Sequence, residues 1–252
     1  MNLFDVTGKK AIVTGAAQGL AYGMAEGLME AGVEVAIIDI SAKTADVAAE
    51  FVKKGYKCHA VNANLGNKAD LKRGFDEALE KLGGRLDIII NAAGIQKRHF
   101  SEEFPVEDWE EVINVNLNSV FFLCQLAGRQ MLKQGSGKII NIASMLSFFG
   151  GYTVPAYAAS KGGVAQLTKA LSNEWASKGV NVNAIAPGYM DTEMNVNLVN
   201  DPNRNAEILG RIPAKRWGTP NDMKGVALFL SAPASDYLNG AIIPVDGGYL
   251  GR

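Results

Sequence analysis

The sequence has little of the chemistry that marks metal sites, disulfide frameworks or membrane spans. It contains only two cysteines, Cys58 and Cys124, and only two histidines, His59 and His99. Their spacing matches neither a disulfide framework nor a zinc site, so we expect free cysteines, a reducing compartment and no bound metal. No apolar run approaches the roughly 20 residues of a transmembrane helix, which argues against a membrane partner.

The chain also lacks an excess of charge of either sign. Lys and Arg total 25 against 26 for Asp and Glu, so no basic surplus exists to attract a phosphate backbone, and we expect no nucleic-acid partner. The opening MNLFDVTGKK does not have the cationic and then apolar pattern of a signal peptide, and we expect a cytoplasmic protein.

Short apolar segments, rich in Val, Ile and Ala, alternate with helix-length segments along the chain. The short segments lie at residues 11–14, 34–39, 57–61, 86–91, 137–143, 181–186 and 240–246. The longer ones lie at residues 20–30, 42–54, 68–82, 105–133, 157–178 and 221–230. This alternation predicts an α/β, Rossmann-type doubly wound fold: one domain with a seven-stranded parallel sheet and helices on both faces.

One irregular, polar segment interrupts the series at residues 191–218. It is long for a connection, and long connections in compact domains often cover active sites. We expect a substrate lid here, with a plain surface excursion as the alternative.

The turn after the first predicted strand has glycines where a phosphate-binding turn needs them. Gly15 and Gly19, in TGAAQGLAYG, open the first helix, whose N-terminus supplies N–H groups for a pyrophosphate. The second strand ends at Asp39, whose carboxylate can accept hydrogen bonds from both ribose hydroxyls and would repel a 2′-phosphate. We therefore predict NAD as the cofactor, in preference to NADP.

The segment YAASK places Tyr157 and Lys161 one helical turn apart on the same face. A neighbouring ammonium and an oxidised nicotinamide would both favour the phenolate, so Tyr157 could remove an alcohol proton as hydride departs. Ser144 follows a buried strand and could hydrogen-bond the substrate oxygen, with Ser147 as the competing candidate.

These motifs resemble, in order, those of the short-chain dehydrogenase/reductase family. The matching elements are TGAAQGLA, NAAG at residues 91–94, Asn116 in NVNL, Ser144, Tyr157 with Lys161, and the Pro187–Gly188 turn. The resemblance implies that Asn116 holds a water in a proton relay, that Lys161 binds the nicotinamide ribose and lowers the pKa of Tyr157, and that Thr192 meets the carboxamide. It also implies a homotetramer, formed through the helices bearing Asn116 and Tyr157 and through the C-terminal segment.

The same resemblance implies a set of cofactor contacts around the glycine turn and the strand ends. Besides those already named, they are Gln18, Leu20, Ile40, Asn64, Leu65, Asn91, Ala92 and Gly94. Asn91, Asn64 and Leu65 are expected on the adenosine side.

Within the family, the second half of the chain is similar to the branch that acts on sugar acids of the 2-deoxy-D-gluconate or 2-dehydro-3-deoxy-D-gluconate type. An anionic substrate needs a cation, and Arg98 and Arg216 are the two candidates. The alternatives are another carbonyl substrate, such as gluconate, a hexose, a steroid ketone or a 3-oxoacyl thioester, or a nucleotide-binding sensor without turnover.

Overall fold

The computed structural model describes residues 2–252, and its centre is one sheet of seven parallel strands. The strands are β1 (Lys10–Thr14), β2 (Glu34–Asp39), β3 (Cys58–Asn62), β4 (Ile88–Asn91), β5 (Gly137–Ile142), β6 (Val180–Pro187) and β7 (Ile242–Val245). Their order across the sheet is β3-β2-β1-β4-β5-β6-β7. The predicted Rossmann-type fold and single domain are confirmed.

Helices connect the strands. They are α1 (Gly19–Glu30), α2 (Thr44–Lys53), α3 (Lys68–Lys81), α4 (Val106–Ile113), α5 (Ser119–Gln134), α6 (Pro155–Trp175), α7 (Val196–Asn200), α8 (Pro202–Arg211) and α9 (Pro220–Ser231). The helix predicted at residues 105–133 is divided, because a π-helical turn at Asn114–Asn118 separates α4 from α5. Periodicity does not reveal such a turn, since it shifts the helix by a single residue.

Two hydrophobic layers cover the two faces of the sheet. One packs α1, α2 and α9 against residues such as Val13, and the other packs α3, α5 and α6 against residues such as Ile12. Adjacent residues of β1 thus point to opposite layers, and both are fully buried, as expected for a parallel strand between helices. Both cysteines are free and buried, and burial raises the pKa of each thiol to about 12.

The segment at residues 191–218 contains more regular structure than its composition indicates. It includes α7 and α8, and the Asp201 side chain caps α8 by accepting the N–H groups of Asn203 (2.9 Å) and Arg204 (3.1 Å). A small third cluster anchors this segment: Met145, Ile208, Ile212 and Tyr249 are all buried together. Short polar helices are difficult to recognise in sequence, because few apolar residues mark their buried face.

Helices α1 and α9 pack closely through two glycines of α1, Gly23 and Gly27. An added Cβ at Gly23 would lie 2.6 Å from the Pro220 carbonyl oxygen, and one at Gly27 would lie 2.9 Å from Lys224 Cβ. The close approach keeps the N-terminal turn of α1 firmly placed at the edge of the sheet.

We predict that Gly23→Ala lowers the free energy of unfolding by about 1–3 kcal/mol, because backbone must move to admit the methyl group. Gly225→Ala is the matched control, since it adds a Cβ in α9 that meets nothing within 4 Å. At Gly225 the substitution should leave the free energy of unfolding unchanged or raise it by about 0.5–1 kcal/mol. Chemical denaturation measures both variants, and equal stabilities would contradict the packing argument.

Candidate active site

A cavity of about 500 Å³ opens at the carboxyl edge of the sheet, where the strand order changes direction between β1 and β4. The loops that follow β1 to β6 all contribute to it. Sixteen of the residues expected at the site line this cavity: Gly15, Gln18, Gly19, Leu20, Asp39, Ile40, Asn64, Leu65, Ala92, Gly94, Ser144, Tyr157, Lys161, Pro187, Gly188 and Thr192. The fold therefore gathers most of the predicted site into one crevice, where ligands of open α/β sheets bind.

The glycine turn presents bare backbone to this cavity. Gly15 and Gly19 have φ of +72° and +62°, a conformation that favours glycine, and an added Cβ at Gly15 would lie 2.8 Å from Ala93 Cα. Helix α1 begins after Gln18 without a side-chain cap, so the N–H groups of its first turn have no side-chain acceptor. Such a helix N-terminus suits a pyrophosphate.

Asp39 lies at the far end of the same cavity, at the end of β2. Its two carboxylate oxygens accept the N–H groups of Ala17 (3.0 Å) and Ser41 (2.9 Å), which holds the side chain between the glycine turn and the loop after β2. A carboxylate has about four acceptor positions, so capacity is left for ribose hydroxyls. Within residues 2–252, Lys161 is the only Lys or Arg that lines this cavity.

Tyr157 and Lys161 face the cavity from α6, and Ser144 faces it from the end of β5. Lys161 Nζ donates to the Ile142 carbonyl (2.6 Å) and lies 5.6 Å from the centre of the Tyr157 ring. Ser147, the competing serine, lines neither this cavity nor its neighbour. Its hydroxyl instead donates to the Lys161 carbonyl (2.7 Å) and accepts the Ser144 N–H (3.2 Å), so it supports the two residues that face the cavity.

The pKa of Tyr157 is raised, in the direction opposite to the lowering that the resemblance implies. Burial raises the pKa of Tyr157, and the Ser144 hydroxyl and the Arg98 charge oppose that shift without overcoming it. Burial also lowers the pKa of Lys161 to about 8. The two shifts have the same main cause, because desolvation penalises the charged form of each group.

Asn116 and Asn91 lie behind the cavity and do not line it. The Asn116 side chain, fully buried in the π-helical turn, accepts the Ile95 N–H (2.8 Å) and donates to the Ile95 carbonyl (2.9 Å) and to Ser160 Oγ (3.3 Å). Asn91 is directed into the sheet layer, where it donates to Asn141 Oδ1 (2.9 Å). Its side chain therefore does not reach the adenosine side, where it was expected.

Thr14 is a supporting residue that the sequence does not single out. Its hydroxyl accepts the N–H groups of Ala92 (3.0 Å) and Ala93 (3.2 Å), and so holds the loop after β4 against the end of β1. Only its position at the end of the first strand could have indicated this.

A second cavity, of about 350 Å³, adjoins the first. The two share Ser144, Tyr157, Gly188, Met194 and Asn195. Aromatic residues line part of the second cavity, with Phe149 stacked on Tyr249 at 5.9 Å between ring centres. Its charged residues are Arg98, Arg204, Arg211 and Glu207, so positive charge predominates.

Of the two arginines proposed from sequence for an anionic substrate, only Arg98 lines this cavity. Arg216 is 59% exposed and donates two hydrogen bonds of 2.7 Å to the carboxylate of Asp222. Arg216 lines neither cavity, because its guanidinium is held by Asp222 on α9.

Residues 2–252 offer neither a membrane-spanning helix nor a metal site. No helix there is long and apolar enough to cross a membrane, and no cluster of three His, Cys, Asp or Glu side chains could hold a metal ion.

Comparisons with known proteins agree over nearly the whole chain. The family model described as enoyl-(acyl carrier protein) reductase matches residues 15–250. A Bacillus subtilis 2-dehydro-3-deoxy-D-gluconate 5-dehydrogenase is 47% identical over 99% of this chain and 97% of its own length. An Escherichia coli K12 5-keto-D-gluconate 5-reductase is 42% identical over 99% and 98%.

Among solved structures, a gluconate 5-dehydrogenase from Burkholderia cenocepacia, in complex with NADP and tartrate, superimposes with a TM-score of 0.95. It is 38% identical, and the match covers 100% of this chain and 98% of that one. Identities at this level, over the full length and with the same fold, show that the chain belongs to the short-chain dehydrogenase/reductase family.

Proposed function

We propose that this protein is a nicotinamide-dinucleotide-dependent dehydrogenase that interconverts a secondary alcohol and a ketone on a sugar acid. One observation carries the proposal: the cavity lined by the glycine turn and Asp39 meets a second cavity at Ser144 and Tyr157. Within residues 2–252, the charged residues of that second cavity are three arginines and one glutamate. The relatives named 2-dehydro-3-deoxy-D-gluconate 5-dehydrogenase, 5-keto-D-gluconate 5-reductase and gluconate 5-dehydrogenase support a carboxylate-bearing sugar.

When bound, the dinucleotide accepts or donates the hydride. Tyr157 holds or removes the proton at its phenol oxygen, and the Ser144 hydroxyl donates a hydrogen bond to the substrate oxygen and orients it. Lys161 would bind the nicotinamide ribose, and its ammonium favours the phenolate, as the positive charge of an oxidised nicotinamide also would. Asn116 fixes the Ile95 backbone, and it would hold the water of the proton relay that the resemblance implies.

The substrate's carboxylate is bound by Arg98. A guanidinium forms two parallel hydrogen bonds with a carboxylate, which gives geometric selection as well as attraction. Within residues 2–252, Arg98 has no acidic partner, and its hydrogen-bond acceptor is Gln96 Oε1 (3.1 Å). A hexose or steroid would leave these cations without a counter-charge, so the cavity favours the acid over those alternatives. A sensor without turnover would not need Ser144, Tyr157 and Lys161 at the junction of two cavities.

The cofactor is NAD in preference to NADP. Asp39 is held by two backbone N–H groups, so its carboxylate stays where it would repel a 2′-phosphate. Within residues 2–252, no Lys or Arg other than Lys161 lines this cavity to bind that phosphate. The Burkholderia relative, by contrast, binds NADP.

We predict that NAD binds about tenfold more tightly than NADP, which corresponds to about 1.4 kcal/mol. Asp39→Asn removes the charge with little change of shape and should narrow the preference, mainly by strengthening NADP binding. Titration calorimetry with both dinucleotides measures this. Tighter binding of NADP by the unaltered protein would overturn the preference.

We also propose the homotetramer that the family resemblance implies. Trp109 on α4 and Phe121 on α5 are 41% and 39% exposed, and an added Cβ at Gly162 on α6 would meet nothing within 4 Å. Apolar and small residues on neighbouring helices permit two copies to approach closely.

Sedimentation at micromolar concentration should give a tetramer, and Phe121→Glu should dissociate it by placing a charge in the interface. Val52→Glu is the control, since Val52 is exposed on α2, away from these helices. A stable monomer, or a Phe121→Glu variant that sediments as the unaltered protein does, would contradict the proposal.

The mechanism predicts that Tyr157→Phe lowers the rate of hydride transfer by about a hundredfold or more, through loss of the acid/base group. Affinity for the dinucleotide should be preserved, because the glycine turn and Asp39 supply most of the contacts. The oxidation rate should rise with pH in the unaltered enzyme and not in Tyr157→Phe. Ser144→Ala should lower the rate of hydride transfer more than Ser147→Ala does.

Single-turnover measurements with gluconate and related sugar acids provide the test. Tyr237→Phe is the matched control, because Tyr237 is fully exposed and lines neither cavity. Near-normal transfer in Tyr157→Phe would refute the mechanism, and absence of turnover with every sugar acid would refute the substrate class.

A further inference from the structure

Helix α8 directs one face toward the second cavity. Arg204, Glu207, Ile208 and Arg211 line it, at the spacing i, i+3, i+4 and i+7 that forms one side of a helix. Ile208 is 3% exposed and packs with Ile212 against Met145 and Tyr249. The buried Ile208 fixes the orientation of α8, and the charged residues on the same side of the helix therefore face the cavity.

The three arginines of the cavity differ in the groups that they contact. Arg211 lies over the Tyr249 ring, 4.4 Å from its centre, and is committed to that contact. Arg204 is paired with Glu207, and both side chains are substantially exposed, at 44% and 59%. An exposed ion pair between residues three apart on one helix contributes little to stability, so Arg204 can leave Glu207 for another anion at small cost.

Arg98 approaches the cavity from the loop after β4, on a different element from α8. Arg98 and Arg204 therefore line the same cavity from two different elements. Partial burial lowers the pKa of Arg98, Tyr189 and Tyr157 oppose that shift, and the positive charge of Arg204 adds to it. Two like charges that line one cavity are relieved by an anion placed between them.

We propose that Arg204 is a specificity-determining residue, which joins Arg98 in binding the substrate carboxylate and gives up Glu207 to do so. The inference rests on the proposed function and extends it, since it assigns the carboxylate a second arginine from helix α8. Because α8 belongs to the segment at residues 191–218, the bound anion ties that segment to the loop after β4. Glu207 then acts as a competing anion that stays paired with Arg204 until a substrate arrives.

The test is the KM for gluconate in Arg204→Gln, measured with the preferred dinucleotide. Loss of a charge-assisted contact should raise KM by about tenfold or more. The kcat should change much less, and the dissociation constant of the dinucleotide should not change. Arg204→Lys should recover part of the loss, and Glu207→Gln should lower KM by removing the competitor.

Two arginines serve as matched controls. Arg73 on α3 is 52% exposed and pairs with Asp70 three residues away, much as Arg204 pairs with Glu207, yet it lines neither cavity. Arg216 lies just beyond α8 and pairs with Asp222. Both Arg73→Gln and Arg216→Gln should leave KM unchanged, and an increase in Arg216→Gln alone would overturn the assignment in favour of that residue.

Direct titration of tartrate into the dinucleotide complex separates this inference from the proposed function. The unaltered protein should bind tartrate, and Arg204→Gln should weaken that binding by about tenfold, whether or not gluconate is turned over. Turnover of sugar acids with an unchanged KM and an unchanged tartrate affinity in Arg204→Gln would overturn the inference and leave the proposed function standing. Failure of the unaltered protein both to oxidise sugar acids and to bind tartrate would overturn both.

Discussion

All seven strands run in the same direction, and this constraint places the working side chains of the molecule at one edge of the sheet. Parallel strands must be joined by crossover connections, which carry the chain back across the sheet before the next strand begins. The loops that leave the strands therefore lie at one edge of the sheet, and the loops that enter them lie at the other. The loops that follow the carboxyl ends of β1 to β6 therefore meet around one cavity. Where the order turns back between β1 and β4, the loops diverge and the crevice opens.

The cavity walls are held by polar groups buried behind them. Thr14 holds the loop after β4, Asn116 holds Ile95, and the Ile142 carbonyl receives the Lys161 ammonium. Burying a polar group costs free energy unless the group is hydrogen-bonded. Each of these groups therefore keeps its backbone partner in place, because moving that partner would leave a buried polar group without a hydrogen bond. The same burial that makes the site rigid also raises the pKa of Tyr157 and lowers that of Lys161. Desolvation in this pocket therefore disfavours the charged form of each of these two side chains.

The two cavities differ in charge, although the chain as a whole has a formal net charge of −1. The first contains Asp39, Glu111 and Glu193 with Lys161 as its cation, and the second contains three arginines with Glu207. This division suits a cofactor bound mainly through backbone and hydroxyl contacts, next to an anionic substrate bound through guanidinium groups. Tyr157 lies at the boundary, where the Arg98 charge reaches the phenol and opposes the effect of burial.

The sequence by itself determined the features that depend on local chemistry. The apolar segments predicted all seven strands, Gly15 and Gly19 predicted the turn, and the spacing of Tyr157 and Lys161 predicted their common helix face, because short-range sterics and periodicity govern each of these. Only the tertiary structure decided which arginines of the predicted lid reach the second cavity. Arg204 and Arg216 both lie within residues 191–218, but Arg204 lines the cavity from α8 whereas Arg216 pairs with Asp222 on α9. The tertiary structure also directed Asn91 into the sheet and placed Ser147 behind Ser144. The direction of a side chain and its burial depend on contacts between residues far apart in sequence. Burial of this kind raises the pKa of Tyr157, whereas its neighbour Lys161 predicts a lower one.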